Sequence, residues 1–592
     1  MSPQSTNGGE LIVDHLIANG VRYAVGIPGH GIITFVDALI DRSDEIGTIM
    51  VRHEQSAVHL ADGYCRVSGE PLAVFTSVGP GAVNTLVGIA TAMADSIPVV
   101  VLTGNCQSYF IEKGAIQDIS FRQPNDFSNM VRPVVKRSWS VTSASELSDV
   151  LRRAFRLATS GRPGPVHIEI PMDVQSANVR RVEHTVGPLE TLGKAYPDPD
   201  SIERAAQAIV SAEFPVLLVG GGALLARAER ELVGLATHLG IPVITTLTSK
   251  GIIPEDHPLN AYYTGPKGST CGVNVVRRAD VLVAVGFRFS EWASGSYKDG
   301  EVFSIPPQRV VQIDVDPSEL GKNYPVEVAV LADAKPALSL LLESVQRMAA
   351  PRDYEATAAF SELQKWRSEW QDAVQSQGTD GTPISMSRAL AELRKELPRD
   401  GIVLSSSGHT QGLLYQEFPI YEPRTHLSAA GFSTMGWSLP AAIGAKLAAP
   451  SKAVVAVIGD GDFLMTCQEL ACAVQYEVPI VVCVMNNSGY MSIRDLQVAL
   501  FGADRTLVTE NEREDGTVCE TDIAALAQSF GAWSRRVTDP NELRAAFRDA
   551  LDSGRPAVVE VMTPRDQVNA GNSLGQWSEF PMPESRRVKV NP

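Results

Sequence analysis

The sequence predicts an α/β protein of three doubly wound parallel-sheet domains, and three observations carry that prediction. The chain has 592 residues, enough for three large domains or four of about 150 residues. Short β-branched apolar runs alternate with Ala- and Leu-rich stretches of helical period, as βαβ crossovers require, and the runs are apolar nearly throughout, as strands covered on both faces are. The chain also repeats itself. Leu151-Arg-Arg-Ala-Phe-Arg156, Ser160-Gly-Arg-Pro163 and an apolar run at 166–170 are echoed by Leu543-Arg-Ala-Ala-Phe-Arg548, Ser553-Gly-Arg-Pro556 and a run at 558–562. Ile97-Pro-Val-Val-Val101 is likewise matched by Val478-Pro-Ile-Val-Val482. The first and last blocks are therefore expected to share one topology; taken alone, the Ser-Gly-Arg-Pro element is also a common helix-to-strand turn.

The first block, 1–185, has strand runs at 23–27, 72–77, 99–103 and 166–170, with a helical stretch at 56–68. A polar, Pro-bearing linker over 180–199 leads to the second block, 200–345, with strands expected at 215–219, 242–245, 281–285 and 310–315. A charged helix is expected over 355–377, followed by the third block, 384–564, and a tail, 565–592, rich in Asn, Ser and Pro.

Composition narrows the function classes. Hydrophobic residues make 44% and charged residues 20% of the chain, a globular mixture with material for several cores. Lys plus Arg number 51 against 68 Asp plus Glu, a net charge of −17, and no basic run offsets it locally, which disfavours nucleic-acid backbone binding. The seven cysteines include no Cys-x-x-Cys pair, so neither a disulfide framework nor a zinc site is expected, and a reducing cytoplasm fits. The first ten residues are polar and the longest apolar stretches, 97–103 and 478–485, are of strand length; neither a signal peptide nor a membrane span is expected.

The chemistry concentrates in the third block. Gly459-Asp460-Gly461 follows the run 454–458 directly, and after 24 intervening residues Asn486-Asn487 follows the run 480–485. Each motif alone is also an ordinary turn. Together they place two strand ends at the carboxyl edge of a parallel sheet, where ligands bind, and a helix beginning after Asp462 would aim its N–H groups at a phosphate. Asp460 and the Asn487 amide oxygen are hard donors suited to Mg²⁺, which takes few protein ligands and completes its shell with phosphate oxygens.

This pattern resembles the diphosphate-binding motif of thiamine-diphosphate-dependent enzymes. Arg52-His53-Glu54-Gln55, Ala61-Asp-Gly-Tyr64, Ser77-Val-Gly-Pro-Gly-Ala-Val-Asn84, Gly161-Arg-Pro-Gly-Pro165 and Thr434-Met-Gly-Trp-Ser-Leu-Pro-Ala-Ala-Ile-Gly444 are similar to the acetolactate synthase-like branch, over nearly the whole chain. The resemblance implies a pyrimidine-binding domain (1–185), a middle domain (200–345) and a diphosphate-binding domain (384–564), with thiamine diphosphate and Mg²⁺ held between subunits of a homodimer or homotetramer. It implies that Glu54 hydrogen-bonds the pyrimidine, for which burial and a raised pKa are expected. Met435 would wedge the cofactor into its bent shape and the Ser433 carbonyl would receive the pyrimidine amino group. Gly408 and His409, after the run 402–405, would form a second diphosphate turn. Gly459, Asp460, Gly461, Asp462, Asn487 and Gly489 would complete the cofactor site, with Asp460, Asn487 and Gly489 on the metal.

The reaction is harder to read. After Asn487 the synthase pattern has a tryptophan that selects the second 2-oxo acid; here Ser488–Gln497 holds none, and Met172 stands where synthases carry lysine. His30, in Gly26-Ile-Pro-Gly-His-Gly31, replaces a glycine near the expected position of the thiazolium and could move a proton there; the arrangement is similar to cyclic 1,2-dione hydrolases of the same superfamily. Gln117 ends a loop that resembles the one presenting a glutamine to the substrate. The sequence reading is therefore C–C bond cleavage or formation on a small carbonyl substrate, a 2-oxo acid or 1,2-dione, outside ordinary acetolactate synthesis, with synthase-type carboligation or decarboxylation as the alternative. His53 and His59 lack a third ligand spaced for zinc. In the middle block Gly220-Gly-Gly222, Gly265-Pro-Lys-Gly268, Gly286-Phe-Arg288 and Asp314-Val-Asp316 leave FAD, ADP or an empty groove open. A flavin oxidoreductase or a non-catalytic nucleotide-binding subunit would be a different class; the second would be expected to lack Glu54 or Asp460, and both are present.

Overall fold

The computed structural model describes residues 5–121, 126–180, 193–265 and 267–566. Most of the expected linker, 181–192, and nearly all of the expected tail, 567–592, lie outside the described residues, as does Pro266 of the Gly265-Pro-Lys-Gly268 motif.

Three six-stranded sheets, parallel throughout, form the molecule. The first holds β1 (Tyr23–Gly26), β2 (Gly47–Met50), β3 (Ala73–Thr76), β4 (Val100–Asn105), β5 (Arg137–Ser140) and β6 (Val166–Pro171), in the order β2-β1-β3-β4-β6-β5. The second holds β7 (Pro215–Val219), β8 (Val243–Thr245), β9 (Asn260–Tyr263), β10 (Val281–Val285), β11 (Arg309–Asp314) and β12 (Val328–Leu331), ordered β9-β8-β7-β10-β11-β12. The third holds β13 (Ile402–Ser405), β14 (His426–Ser428), β15 (Val454–Gly459), β16 (Val481–Asn486), β17 (Trp533–Val537) and β18 (Ala557–Met562), ordered β14-β13-β15-β16-β18-β17. The first and third orders are the same, as the sequence echo requires. The middle sheet differs: its order is that of dinucleotide-binding doubly wound folds. A short antiparallel pair, Ser5–Asn7 with Asn178–Arg180, closes the first domain.

The strands read from sequence are the central ones, buried along all or nearly all of their length. The strands sequence reading missed are edges, and some, such as Trp533–Val537 and Arg137–Ser140, are only half-covered and carry Arg, Ser and Trp, so no apolar run marks them.

The outer two domains share one core. Helix α1 (Glu54–Ser68) crosses a helix of the third domain, Ser438–Ala448, at backbone contact: a Cβ on Gly63 would stand 2.2 Å from the Ala441 carbonyl oxygen, and one on Gly444 2.0 Å from that of Leu60. Leu60, Ala61, Trp437, Leu439 and Ile443 are buried around the crossing. Trp437 Nε1–H donates to buried Asp62 Oδ1 at 3.0 Å, and Arg66 donates to Asp62, to Asp95 and to the Ser428 carbonyl. Among the described residues no helix is long and apolar enough to cross a membrane, and all seven cysteines are free.

Candidate active site

The turns after β13, β15 and β16 lie together at the carboxyl edge of the third sheet. β13 leads into α2 (Gly408–Glu417), β15 into α3 (Asp460–Thr466), and β16, through Asn487 to Tyr490, into α4 (Met491–Phe501). The helix after β15 begins at Asp460, three residues earlier than the sequence reading had it. Because Gly459 pairs with Met485 in the ladder, Asp460 faces the turn after Asn486. The two asparagines then part. Asn486 turns inward, donating to buried Glu560 at 2.7 Å, while Asn487 turns to the site: one end of its amide lies 3.2 Å from the Gly489 carbonyl oxygen and 3.3 Å from Asp460 Oδ1. Asp460 Oδ2 accepts the Gly489 N–H at 3.0 Å, and burial pushes the Asp460 carboxyl up to about 6 against the pull of the surrounding backbone N–H groups.

That convergence fits a small hard cation. Mg²⁺ holds oxygens at about 2.1 Å in an octahedron, which sets neighbouring ligands roughly 3 Å apart. An Asn487 amide oxygen at that end would lie 3.2 Å from the Gly489 carbonyl oxygen and 3.3 Å from Asp460 Oδ1, the spacing of neighbouring ligands on such a cation, whereas without a cation the NH₂ end turns in and donates to both. Among the described residues no cluster of three His, Cys, Asp or Glu could hold a metal, so such an ion would rest on one carboxylate, one amide, one carbonyl and ligand oxygens.

The space beside this triad is open. A Cβ on Gly459 or Gly408 would meet nothing within 4 Å, and Gly408, at φ +76°, starts α2 with no side chain capping its first-turn N–H groups. An anion is the natural partner of such amides. Gly461 is tight for another reason: a Cβ there would stand 2.6 Å from the Tyr490 ring. Asp462 differs from the sequence expectation. It is buried, its oxygens accept from Ser406 Oγ and Gly436 N–H, and burial pushes it up to about 6, so it ties two site turns together and faces no open space. It anchors the Thr-Met-Gly turn, where Ser433 takes φ +53°, Gly436 takes φ +80°, and Met435 is half-buried. His409 Nε2 lies 3.0 Å from Asp495 Oδ2.

The second half-site sits at the carboxyl edge of the first sheet. Glu54 opens α1 after β2, and its Oε2 accepts from Asn84 Nδ2 at 2.9 Å. Contrary to expectation, Glu54 is half-buried within one chain, because it starts a helix at an open sheet edge. Gly81 stands beside it, with a Cβ there 3.1 Å from Glu54 Oε1, and Gly79 touches the carbonyl of Gln117, an exposed residue at φ +62°. His30 lies in the turn after β1, which Ser77 Oγ and Gln175 Nε2 hold through the Gly31 N–H and carbonyl; its Nε2 is buried without a partner. The structure thus gathers His30, Glu54 and Gln117 on one edge. Gln175, which pins the His30 turn, carries no sequence signal. His59 is structural, its charged form disfavoured by burial down to about 3.

Within one chain, much of the length of α1 lies between Glu54 and the Thr-Met-Gly turn. Arg66 stacks over Trp437, next to Met435, at the far end of α1, and Glu54 lies twelve residues earlier, about 18 Å along the helix axis.

Comparison with known proteins identifies the family. Residues 6–125, 202–341 and 406–561 match, in turn, the N-terminal TPP binding domain, the central domain and the C-terminal TPP binding domain of thiamine pyrophosphate enzymes. A probable acetolactate synthase large subunit of Methanocaldococcus jannaschii is 34% identical over 565 residues, covering 94% of this chain and 91% of its own. An acetolactate synthase large subunit of Parasynechococcus marenigrum is 35% identical over 592 residues (98% and 92%), and acetolactate synthase isozyme 3 large subunit of Escherichia coli is 32% identical over 558 (93% of each). The chain belongs to the thiamine pyrophosphate enzymes, in their acetolactate synthase-like branch. It is a thiamine diphosphate enzyme, thiamine pyrophosphate being the same compound.

This thiamine pyrophosphate enzyme has a further cavity, of about 1350 Å³, between its middle domain and the outer two. It opens where the middle sheet reverses its strand order, between β7 and β10, the place where doubly wound folds bind ligands. Gly220, Gly286, Lys267 and Asp314 line it, and it extends to Ser433. Gly220 must be glycine, since a Cβ would stand 2.0 Å from the Gly286 carbonyl oxygen.

Proposed function

We propose that this enzyme decarboxylates a 2-oxo acid and joins the remaining fragment to a second carbonyl compound, the acetolactate synthase type of carboligation. The observation that carries the reading is the convergence of Asp460, Asn487 and Gly489 beside the open first turn of α2, in a chain whose full-length relatives are named acetolactate synthases. Bound thiamine diphosphate supplies a carbon nucleophile for the carbonyl and a ring that accepts the negative charge left after bond cleavage. The chain's own residues do the rest. Asp460, Asn487 and the Gly489 carbonyl would hold Mg²⁺, and with it the diphosphate. Met435 and Ser433 would support the cofactor, and Glu54, oriented by Asn84, would hydrogen-bond the pyrimidine from a second copy of the chain. The active assembly is therefore a homodimer or a homotetramer built of dimers. The domain limits we propose are 1–185, 200–345 and 384–564, each enclosing one sheet. The middle cavity would take a nucleotide such as FAD or ADP, and the free thiols suit a reducing cytoplasm.

A second reading is favoured by His30 alone. An imidazole nitrogen buried without a partner beside Glu54 and Gln117 suits proton transfer to a substrate, as cleavage of a cyclic 1,2-dione would need. Incubation with thiamine diphosphate and Mg²⁺, offering pyruvate and other 2-oxo acids against cyclic 1,2-diones, separates the two. Carbon dioxide and a 2-hydroxy-3-oxo acid are expected. A ring-opened acid formed from the dione, with no activity on 2-oxo acids, would overturn the first reading in favour of the second.

A further inference from the structure

We infer that His409 and Asp495 form a charge pair that takes up a proton when the diphosphate settles at the start of α2, so that cofactor affinity is linked to protonation of this imidazole. The inference rests on the reading of residues 408–410 as a diphosphate turn. His409 is the second residue of a ten-residue helix, and its side chain is only 6% exposed. Its Nε2 meets Asp495 Oδ2 at 3.0 Å across the gap to α4, and its Nδ1 is buried with no partner. Neither protonation state satisfies the ring unaided. A neutral ring donating to Asp495 leaves a buried Nδ1 lone pair with no donor, and a charged ring leaves a buried Nδ1–H with no acceptor. An anion settling at the open first turn adds a second negative charge near the imidazole, which favours the doubly protonated ring. With His409 neutral, Asp495 would leave an uncompensated negative charge beside a site that must receive a polyanion.

The surrounding charges do not substitute for His409. Arg494 Nη1 is 3.8 Å from Asp495 Oδ1, but its Nε is held by Glu510 at 3.1 Å, which Arg565 shares. The helix Met386–Glu396 packs on another side of α2, and its charged groups pair elsewhere: Arg388 with Asp380 and Glu392, Lys395 with Glu392, and Glu396 with Arg544 and Arg548, while Arg394 reaches backbone carbonyls. β13 and β15 carry no charged residue. From the middle domain, Lys250 donates to the Tyr415 carbonyl at the far end of α2, and Lys267 lies against Gly412, one turn from His409. Asp460 and Asp462 begin α3 nearby.

The test is calorimetric titration of the full-length protein with thiamine diphosphate and Mg²⁺, in buffers of different ionisation enthalpy at one slightly alkaline pH. The slope against ionisation enthalpy gives the protons taken up; contributions from the cofactor's own phosphate and from Lys267 are common to all variants. Wild type is expected to take up measurably more protons than His409→Gln, which keeps a donor to Asp495 but cannot be charged. His409→Gln should bind about tenfold more weakly, and adding Asp495→Asn to it should recover most of that loss, because the uncompensated charge is gone. A pair that served only to tether two helices would show no such recovery. Asp495→Asn alone, at a position whose side chain is 37% exposed, should lower the uptake, so the inference stays testable even if His409→Gln does not fold. Unchanged affinity and uptake in His409→Gln, a double variant no better than the single, or unchanged uptake in Asp495→Asn would each overturn it. Wild-type protein that binds no thiamine diphosphate would instead overturn the diphosphate reading itself.

Discussion

Co-expression of two inactive chains exposes the geometry of the half-sites most sharply. One chain carries Glu54→Gln and the other Asp460→Ala. Within a chain, α1 runs from Glu54 to Arg66, which stacks on Trp437 beside the Thr-Met-Gly turn; twelve residues at about 1.5 Å each separate the two ends by roughly 18 Å. On the proposed reading, that separation would make Glu54 act on a cofactor held by another copy. In a two-fold dimer each site then draws Glu54 from one protomer and Asp460 from the other. Random pairing makes about half the dimers hybrid, and each hybrid has one intact site of two, so about one quarter of wild-type activity should return. The assay is steady-state turnover of affinity-purified mixtures, with each variant alone as the baseline. Activity no higher than the two baselines, in mixtures shown to contain hybrid dimers, would refute the reasoning.

Three further outcomes are expected. Glu54→Gln should still bind thiamine diphosphate but exchange the cofactor's C2 proton far more slowly, as followed by NMR after acid quench; near-normal exchange would remove Glu54 from its assigned role. Glu469, wholly buried where it accepts the Arg52 N–H, is pushed up to about 7 by burial. Its folded pKa lies above the unfolded value, so the native state binds more protons than the unfolded state between about pH 4.5 and 7. Stability from this group is therefore lost as pH rises through that window, by up to about 3 kcal/mol; urea unfolding of Glu469→Gln should lack that fall, and parallel pH profiles would refute the assignment. Gly63→Val should lower stability by at least 1–3 kcal/mol, since even its Cβ would stand 2.2 Å from the Ala441 carbonyl oxygen; an unchanged melting temperature would contradict the close crossing.

The sequence carried the fold where burial is complete. β7, β10 and β13 have the bounds read from apolar runs because both their faces are covered. The edge strand Trp533–Val537 shows no such run because one side meets solvent. At the site, Asp460 and Asn487 were legible because chemistry and strand ends coincide there. That Asn486 turns inward to Glu560 was not, because it depends on pairing between β16 and β18. The anchoring role of Asp462 was hidden in the same way, since its partners Ser406 and Gly436 lie on other turns. Asp495 is 86 residues from His409 and carries no local pattern, so the pair exists only in the packing of α2 against α4. The expected burial of Glu54 followed from its chemistry and not from its neighbours in one chain; at the start of a helix on an open sheet edge it stays half-covered.

The measurement closest to the centre of this account is the affinity of the full chain for thiamine diphosphate with and without Mg²⁺, in wild type and in Asp460→Ala. If Asp460, Asn487 and the Gly489 carbonyl hold the cation as proposed, binding should be strong only when Mg²⁺ is present and should weaken by about a hundredfold or more in the variant. Equal affinity with and without the metal, unaltered by the substitution, would contradict it.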